Sequence, residues 1–268
     1  MKLSEVYALL DGVAPKALSD EYVQTYGAYD NSGLLLDTGR DVTSVVFTLD
    51  LTQEAVDTAI AQGAELIVTH HPVIYGKINH LSVEEPLGKN MIQCLRHGIS
   101  IVSMHLNLDV VCGGIDESLQ QGIILAVNRL GGNAAAQEGV MQPVSVGGYG
   151  RITMMDGVAA ADVAAALEEE FSAKITLVGE VEKVKKIASF CGAGVDEGTI
   201  AYAAKQGADA ILSADWKHHL ILLAREAGMA VMQISHYASE IYGFRKYYER
   251  MRQLLQMPCV LVTQDELA

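Results

Sequence analysis

Gly63-Ala64-Glu65-Leu66-Ile67-Val68-Thr69-His70-His71-Pro72 carries more information about this chain than any other stretch. Gly63 stops a helical run from Thr52 to Gln62, in which Ala55, Ala59 and Ile60 recur at helical spacing. The apolar run Glu65 to Thr69 then reads as a buried strand. Neighbours inside a regular strand point to opposite faces, so His70 and His71 share a site only if the strand has ended. Pro72 supports that ending, because it cannot donate to a sheet ladder and holds His71 extended. The histidine pair is thereby placed at the carboxyl end of a strand, where parallel α/β sheets put their ligands.

Outward from this stretch the pattern alternates. Val42 to Leu49 is a β-branched apolar run, Glu85 to His97 a helix ended by Gly98, Ile99 to Ser103 a strand, and Asp116 to Leu130 a long helix before Gly131-Gly132. Strands alternating with helices predict an α/β fold with a largely parallel sheet.

The second half resembles the first. Thr43–His71 lies over Ile187–Asp215 without a gap, and Ala59-x-x-Gln62-Gly63-Ala64-Glu65 overlays Ala203-x-x-Gln206-Gly207-Ala208-Asp209. Gly98 leads through a strand to His105-x-x-x-Asp109, and Gly228 through another to His236-x-x-x-Glu240. This reads as an internal duplication of an α/β half. Ala134 to Gln142 is the expected junction, and Gly147-Gly148-Tyr149-Gly150-Arg151 a glycine-permissive turn that opens the second unit.

The bulk numbers narrow the function classes. Of 268 residues half are apolar, and 19 basic against 33 acidic residues give a formal charge of −14. Such a chain carries no electrostatic footprint for nucleic acid or an anionic membrane, although bound cations can reverse the field inside one cleft. Met1-Lys2-Leu3-Ser4-Glu5-Val6 lacks the shape of a signal peptide, and no run approaches the ~18 apolar residues of a membrane span. Cys94, Cys112, Cys191 and Cys259 are far apart and read as buried thiols of a reducing, cytoplasmic compartment.

The chemistry-bearing residues are imidazoles and carboxylates. His105 with Asp109, and His236 with Glu240, are each four apart, so on a helical turn each pair converges on one point. A set rich in N and O ligands and free of cysteine favours Zn, Fe or Mn, and five or six such groups suit two ions better than one tetrahedral site. Asp215 reads as a helix N-cap before Trp216-Lys217-His218-His219, and His218 and His219 as first-turn helix residues. Asp30-Asn31-Ser32-Gly33 reads as a turn, His80 and His97 as surface or helix-end histidines. Tyr237, Tyr242, Tyr247 and Tyr248 read as residues that pack a final helix against the core or a neighbouring subunit.

With these residues in view the chain resembles the NGG-interacting-factor-three-like family, labelled GTP cyclohydrolase 1 type 2 homologues. The resemblance rests on Asp30-Asn31-x-Gly33-Leu34, Thr69-His70-His71-Pro72, Asn107-Leu108-Asp109 with Gly113-Gly114, Gly148-x-Gly150-Arg151, Cys191-Gly192-x-Gly194 and His236-Tyr237-x-Ser239-Glu240. Tyr29 stands where a Trp is common, and Ser235 where a Gly often precedes the late histidine; neither change removes a ligand. The resemblance implies two similar, intertwined three-layer α/β/α domains, with a metal site in the cleft between them. Residues 1–131 with 232–268 would form the first, carrying most ligands, and 132–231 the second. It implies two divalent transition-metal ions held by His70, His71, Asp109, His236 and Glu240, the last bridging, with His105 beside them as an extra ligand or proton carrier. It also implies a homohexameric ring.

Three functional readings follow. One is a metal-dependent hydrolase of a nucleotide-like or small anionic substrate, for which the family label suggests GTP ring opening. A second is a non-enzymatic, metal-binding hexameric scaffold for storage, delivery or partner binding. The third has structural histidines and no metal.

Overall fold

A computed structural model describes all 268 residues. The chain divides into two compact units, Met1–Val111 with Phe244–Thr263, and Cys112–Gly243 with Gln264–Ala268.

The first unit opens with helices α1 (Leu3–Val13) and α2 (Lys16–Tyr26) and strand β1 (Gly33–Leu36). Then come β2 (Val45–Thr48), α3 (Gln53–Gln62), β3 (Leu66–Thr69), α4 (Pro86–His97), β4 (Ser100–Ser103) and the short α5 (Leu106–Val110). Thr52 caps α3 by accepting the amide of Ala55, and Gly63 ends it in the left-handed region at φ +64°. Strands β2, β3 and β4 are mutually parallel, and β1 closes the β4 edge antiparallel. All four residues of β3 are buried, as befits the central strand of a sheet covered on both faces. Val46, Ile67 and Ile101 pack with Ala55, Val56, Ala59 and Cys94 of α3 and α4.

The second unit contains α6 (Ile115–Arg129), β5 (Ala135–Ala136), the hairpin β6 (Gln142–Val144) and β7 (Gly147–Tyr149), β8 (Arg151–Ala159), α7 (Ala160–Phe171) and β9 (Thr176–Val178). It continues with β10 (Lys183–Ser189), α8 (Glu197–Lys205), β11 (Ala210–Ser213), α9 (His218–Glu226), β12 (Ala230–Gln233) and the start of α10 (His236–Leu255). Its main sheet runs β5-β8-β10-β11-β12-β9, with β10, β11 and β12 parallel. Helix pairs α6–α7 and α8–α9 layer against it.

From Phe244 onward α10 belongs to the first unit, where the chain ends its sheet with β13 (Cys259–Leu261) beside β2. Phe47, one residue on from Val46 and so on the other face of β2, meets Tyr247 and Tyr248 of α10 at 6.3 and 5.5 Å. The α/β class and layered arrangement agree with the sequence reading.

Four details differ from it. The contacts divide the chain after Val111 and after Gly243, not after residues 131 and 231, because α6 packs on α7 and β8. The expected junction Ala134 to Gln142 is sheet structure: Ala135 pairs with Met154 and Gln142 with Tyr149. The two units do share an order of elements, in agreement with a duplication, but the overlay needs a gap. Leu66 pairs with Val45, whereas its counterpart Ala210 pairs with Ile187, two residues earlier than a gapless overlay requires. Finally, Cys112 is exposed and Cys259 half-buried, so only Cys94 and Cys191 are buried thiols.

Candidate metal centre

The three parallel strands of the first unit end side by side, and each delivers polar residues to that edge. Asp50 follows β2, His70 and His71 follow β3, and His105 follows β4. The backbone N–H groups of His70 and His71 both donate to the carbonyl of Leu49, at 3.1 and 2.9 Å. Consecutive amides of a regular strand point to opposite sides, so the ladder has ended and the chain has turned. Adjacent imidazoles can then face one site. The ring centroids of His70 and His71 stand 4.9 Å apart, those of His70 and His105 5.1 Å, and those of His71 and His105 5.8 Å. One ring nitrogen from each of the three lies within 4.8 Å of the others.

Each ring is oriented through its Nδ1. His70, fully buried, donates to the carbonyl of Met104 at 2.7 Å. His71 donates to Asp50 Oδ1 at 2.8 Å and His105 to Asp30 Oδ1 at 2.7 Å. Burial by itself would raise the pKa of Asp30. The hydrogen bond and charge of His105, with hydroxyl bonds from Ser19 and Ser32, outweigh that and hold the carboxyl well below its ordinary range. The Nε2 of His70 faces Asp109 Oδ1 at 3.5 Å, a buried carboxylate on α5.

In the second unit Cys191-Gly192, Asp215 and His236 likewise lie just beyond the carboxyl ends of β10, β11 and β12. His236 is the first residue of α10, and its Nε2 sits 3.0 Å from Oε1 of Glu240, one turn on and buried. Its Nδ1 donates to Asp215 Oδ2 at 2.6 Å. Gly192 adopts φ +56°, and a Cβ there would press onto Glu240 Oε1 and come within 3.4 Å of His236 Nε2. Its amide donates to Ser239 Oγ at 2.9 Å, fixing the glycine against the turn of α10 that carries both groups. Only a residue without a side chain leaves that space open.

The structure thus brings His70, His71, His105 and Asp109 together in the first unit, and His236 with Glu240 in the second. Asp215 is not a helix N-cap: α9 starts at His218 with Lys217 in the cap position, and Asp215 orients His236 instead. His218 and His219 are exposed on the first turn of α9. The Asp30 stretch is more than a turn, since its carboxylate holds His105. His105 and His236 are not equivalent in the two halves. Ser100 of β4 and Ala230 of β12 pair with the corresponding residues Leu66 and Ala210, and counting onward places Ser235, not His236, opposite His105.

The donors gathered in each unit could hold a metal ion. Four imidazoles have Nδ1 committed to an oxygen acceptor, the arrangement by which outer groups fix tautomer and ring orientation so that Nε2 ligates. The carboxylates of Asp109 and Glu240 meet two of those Nε2 atoms, and no thiolate takes part. The space kept open at Gly192 lies on the same atoms.

Comparison with known proteins gives a consistent answer. The model of the Duf34/NIF3 (NGG1p interacting factor 3) family matches residues 1–265. A protein of Clostridium perfringens named GTP cyclohydrolase 1 type 2 homolog is 28% identical over 274 residues, covering 99% of this chain and 97% of its own. One of the same name from Methanocaldococcus jannaschii is 25% identical over 265 residues, covering 97% and 98%. Among solved structures, the Staphylococcus aureus hypothetical protein SA1388 superposes with a TM-score of 0.81 at 24% identity, covering 99% of this chain and 97% of that one. At that identity the likeness speaks for the fold alone. No helix is long and apolar enough to cross a membrane.

Proposed function

This chain belongs to the Duf34/NIF3 family, and from that premise we propose that it is a metal-dependent hydrolase of a nucleotide-like or other small anionic substrate. His70, His71, Asp109, His236 and Glu240 would hold two divalent ions, of Zn, Fe or Mn. The observation that carries this reading is the anchoring of His70, His71 and His236 through Nδ1, which leaves their Nε2 atoms to ligate.

Divalent ions held there supply Lewis acidity, an acidified water near neutral pH and positive charge against an anionic substrate. The protein's part is to fix the ligands and exclude alternatives. Asp50, Asp30 and Asp215 keep His71, His105 and His236 in one tautomer, and His105 stands beside the ligands as a proton carrier. The name borne by the curated relatives makes GTP the first substrate to test. Family resemblance also points to a hexameric ring, which light scattering would register as six chain masses.

The test is turnover of GTP by metal-reconstituted protein, wild type beside Glu240→Gln. The reading expects metal-dependent hydrolysis in the wild type and its loss in the variant. Turnover that survives loss of the Glu240 carboxylate sinks it.

A further inference from the structure

Two aromatic rings stand in solvent beside the histidines. Tyr29 is 55% exposed and Tyr75 56%, and their rings meet edge to face at 5.1 Å with an interplanar angle of 81°. The ring of Tyr75 lies 6.4 Å from that of His105. Two large aromatic surfaces so exposed and so close mark a place where something else belongs.

The corner is also held in shape. Asn31 donates its side-chain amide to the carbonyl of Ile74 at 2.6 Å, tying the segment after Tyr29 to the segment before Tyr75. The Tyr75 hydroxyl reaches the Tyr29 carbonyl at 3.5 Å. Asp30 grips His105 Nδ1, and Ser32 Oγ accepts the backbone N–H of His105 at 3.2 Å. Tyr29-Asp30-Asn31-Ser32 therefore couples the aromatic corner to His105 through the side chains of Asp30 and Ser32, while that of Asn31 holds the two tyrosine segments together. A pre-set corner costs less to occupy than one that must be assembled on binding.

We propose that Tyr29 and Tyr75 form the recognition corner for a planar heteroaromatic ring, the base of a nucleoside phosphate, presented to the site at His105. This deepens the hydrolase reading above and rests on it for the identity of the neighbouring site. The chemistry follows from the rings. Perpendicular phenols offer one face for stacking and one edge against a flat ligand's rim, and base–aromatic stacking tolerates any base because each has a π-face. Selectivity between bases therefore comes from other groups.

The experiment is equilibrium binding of guanosine and adenosine triphosphates to full-length, metal-reconstituted protein, with inorganic tripolyphosphate as the ring-free control. Wild type is compared with Tyr29→Ala, Tyr75→Ala and the matching Phe variants, with metal content and oligomeric state measured on each. The expected result is tighter binding of both nucleotides than of tripolyphosphate. Each Ala variant should weaken nucleotide binding about 5- to 100-fold, leave tripolyphosphate and metal content unchanged, and be matched by Phe variants close to wild type. Nucleotides binding no better than tripolyphosphate, or binding unchanged in the Ala variants, overturns the proposal. A change in oligomeric state with nucleotide affinity intact also overturns it, and assigns the corner to contact between copies. Failure of the hydrolase reading registers separately, as absence of bound metal or of turnover.

Discussion

Asp215 accepts the Nδ1–H of His236 at 2.6 Å from a backbone held at φ +51°. A non-glycine residue in the left-handed region is disfavoured by about 1 kcal/mol or more. The conformation at the end of β11 aims the carboxylate at the histidine that opens α10. Local strain is thus tied to the orientation of one candidate ligand.

That relationship separates two effects in Asp215→Gly. Glycine relieves the positive φ, so the melting temperature of metal-free protein should stay level or rise. Metal affinity should fall about 10- to 100-fold, as is usual on loss of a group that orients a ligating histidine. Competition against a chromogenic chelator reads the affinity and calorimetry the melting temperature. Unchanged metal affinity would make Asp215 purely structural.

Gly192→Ala should act in the opposite way on stability. The left-handed φ costs about 1–3 kcal/mol for a residue with a Cβ, and the new carbon collides with Glu240 Oε1. Urea unfolding should show the loss, and metal content should fall with it. An Ala variant with normal stability and normal metal content would mean that Glu240 is not confined by this loop.

Asp116 is fully buried and accepts from Arg151 Nε at 3.0 Å and from the backbone amide of Gly150 at 3.0 Å. Asp116→Ala leaves the guanidinium in the interior without this carboxylate. The expected destabilisation is about 3–5 kcal/mol, read as a lower urea midpoint. A shift under about 1 kcal/mol would place the pair among weak surface contacts.

The thiols should differ sharply in reactivity. Burial pushes the Cys94 thiol up to about 12, so at pH 8 almost none of it is the nucleophilic thiolate. Cys112 is exposed. Iodoacetamide at pH 8, followed by mass spectrometry of the folded protein, should label Cys112 and spare Cys94. Labelling of both at similar rates would contradict the buried placement of α4.

The sequence revealed most where one short stretch carried its own geometry. Gly63 at φ +64° and the apolar run into His70-His71-Pro72 could be read locally, because helix stop, strand and strand end all lie within ten residues. The orienting carboxylates could not. Asp30 acts on a histidine 75 residues away, and Asp50 and Asp215 on partners 21 residues away. Read along the chain, Asp30 looks like a turn and Asp215 like a helix cap. The gap in the internal overlay was hidden for a related reason. A two-residue offset preserves which face of a strand is apolar, so the pattern of Val45–Thr48 fits the second half in either register. Arg151 likewise reads locally as part of a glycine turn, because its buried partner Asp116 is 35 residues away.

The most direct test of the metal centre is metal content per chain, by elemental mass spectrometry on untagged protein, wild type beside Glu240→Gln. The account expects about two transition-metal equivalents in the wild type, as a two-ion centre requires, and a sharp fall in the variant. No bound metal after reconstitution with Zn, Mn and Fe would contradict it, and would leave the anchored imidazoles as structural groups.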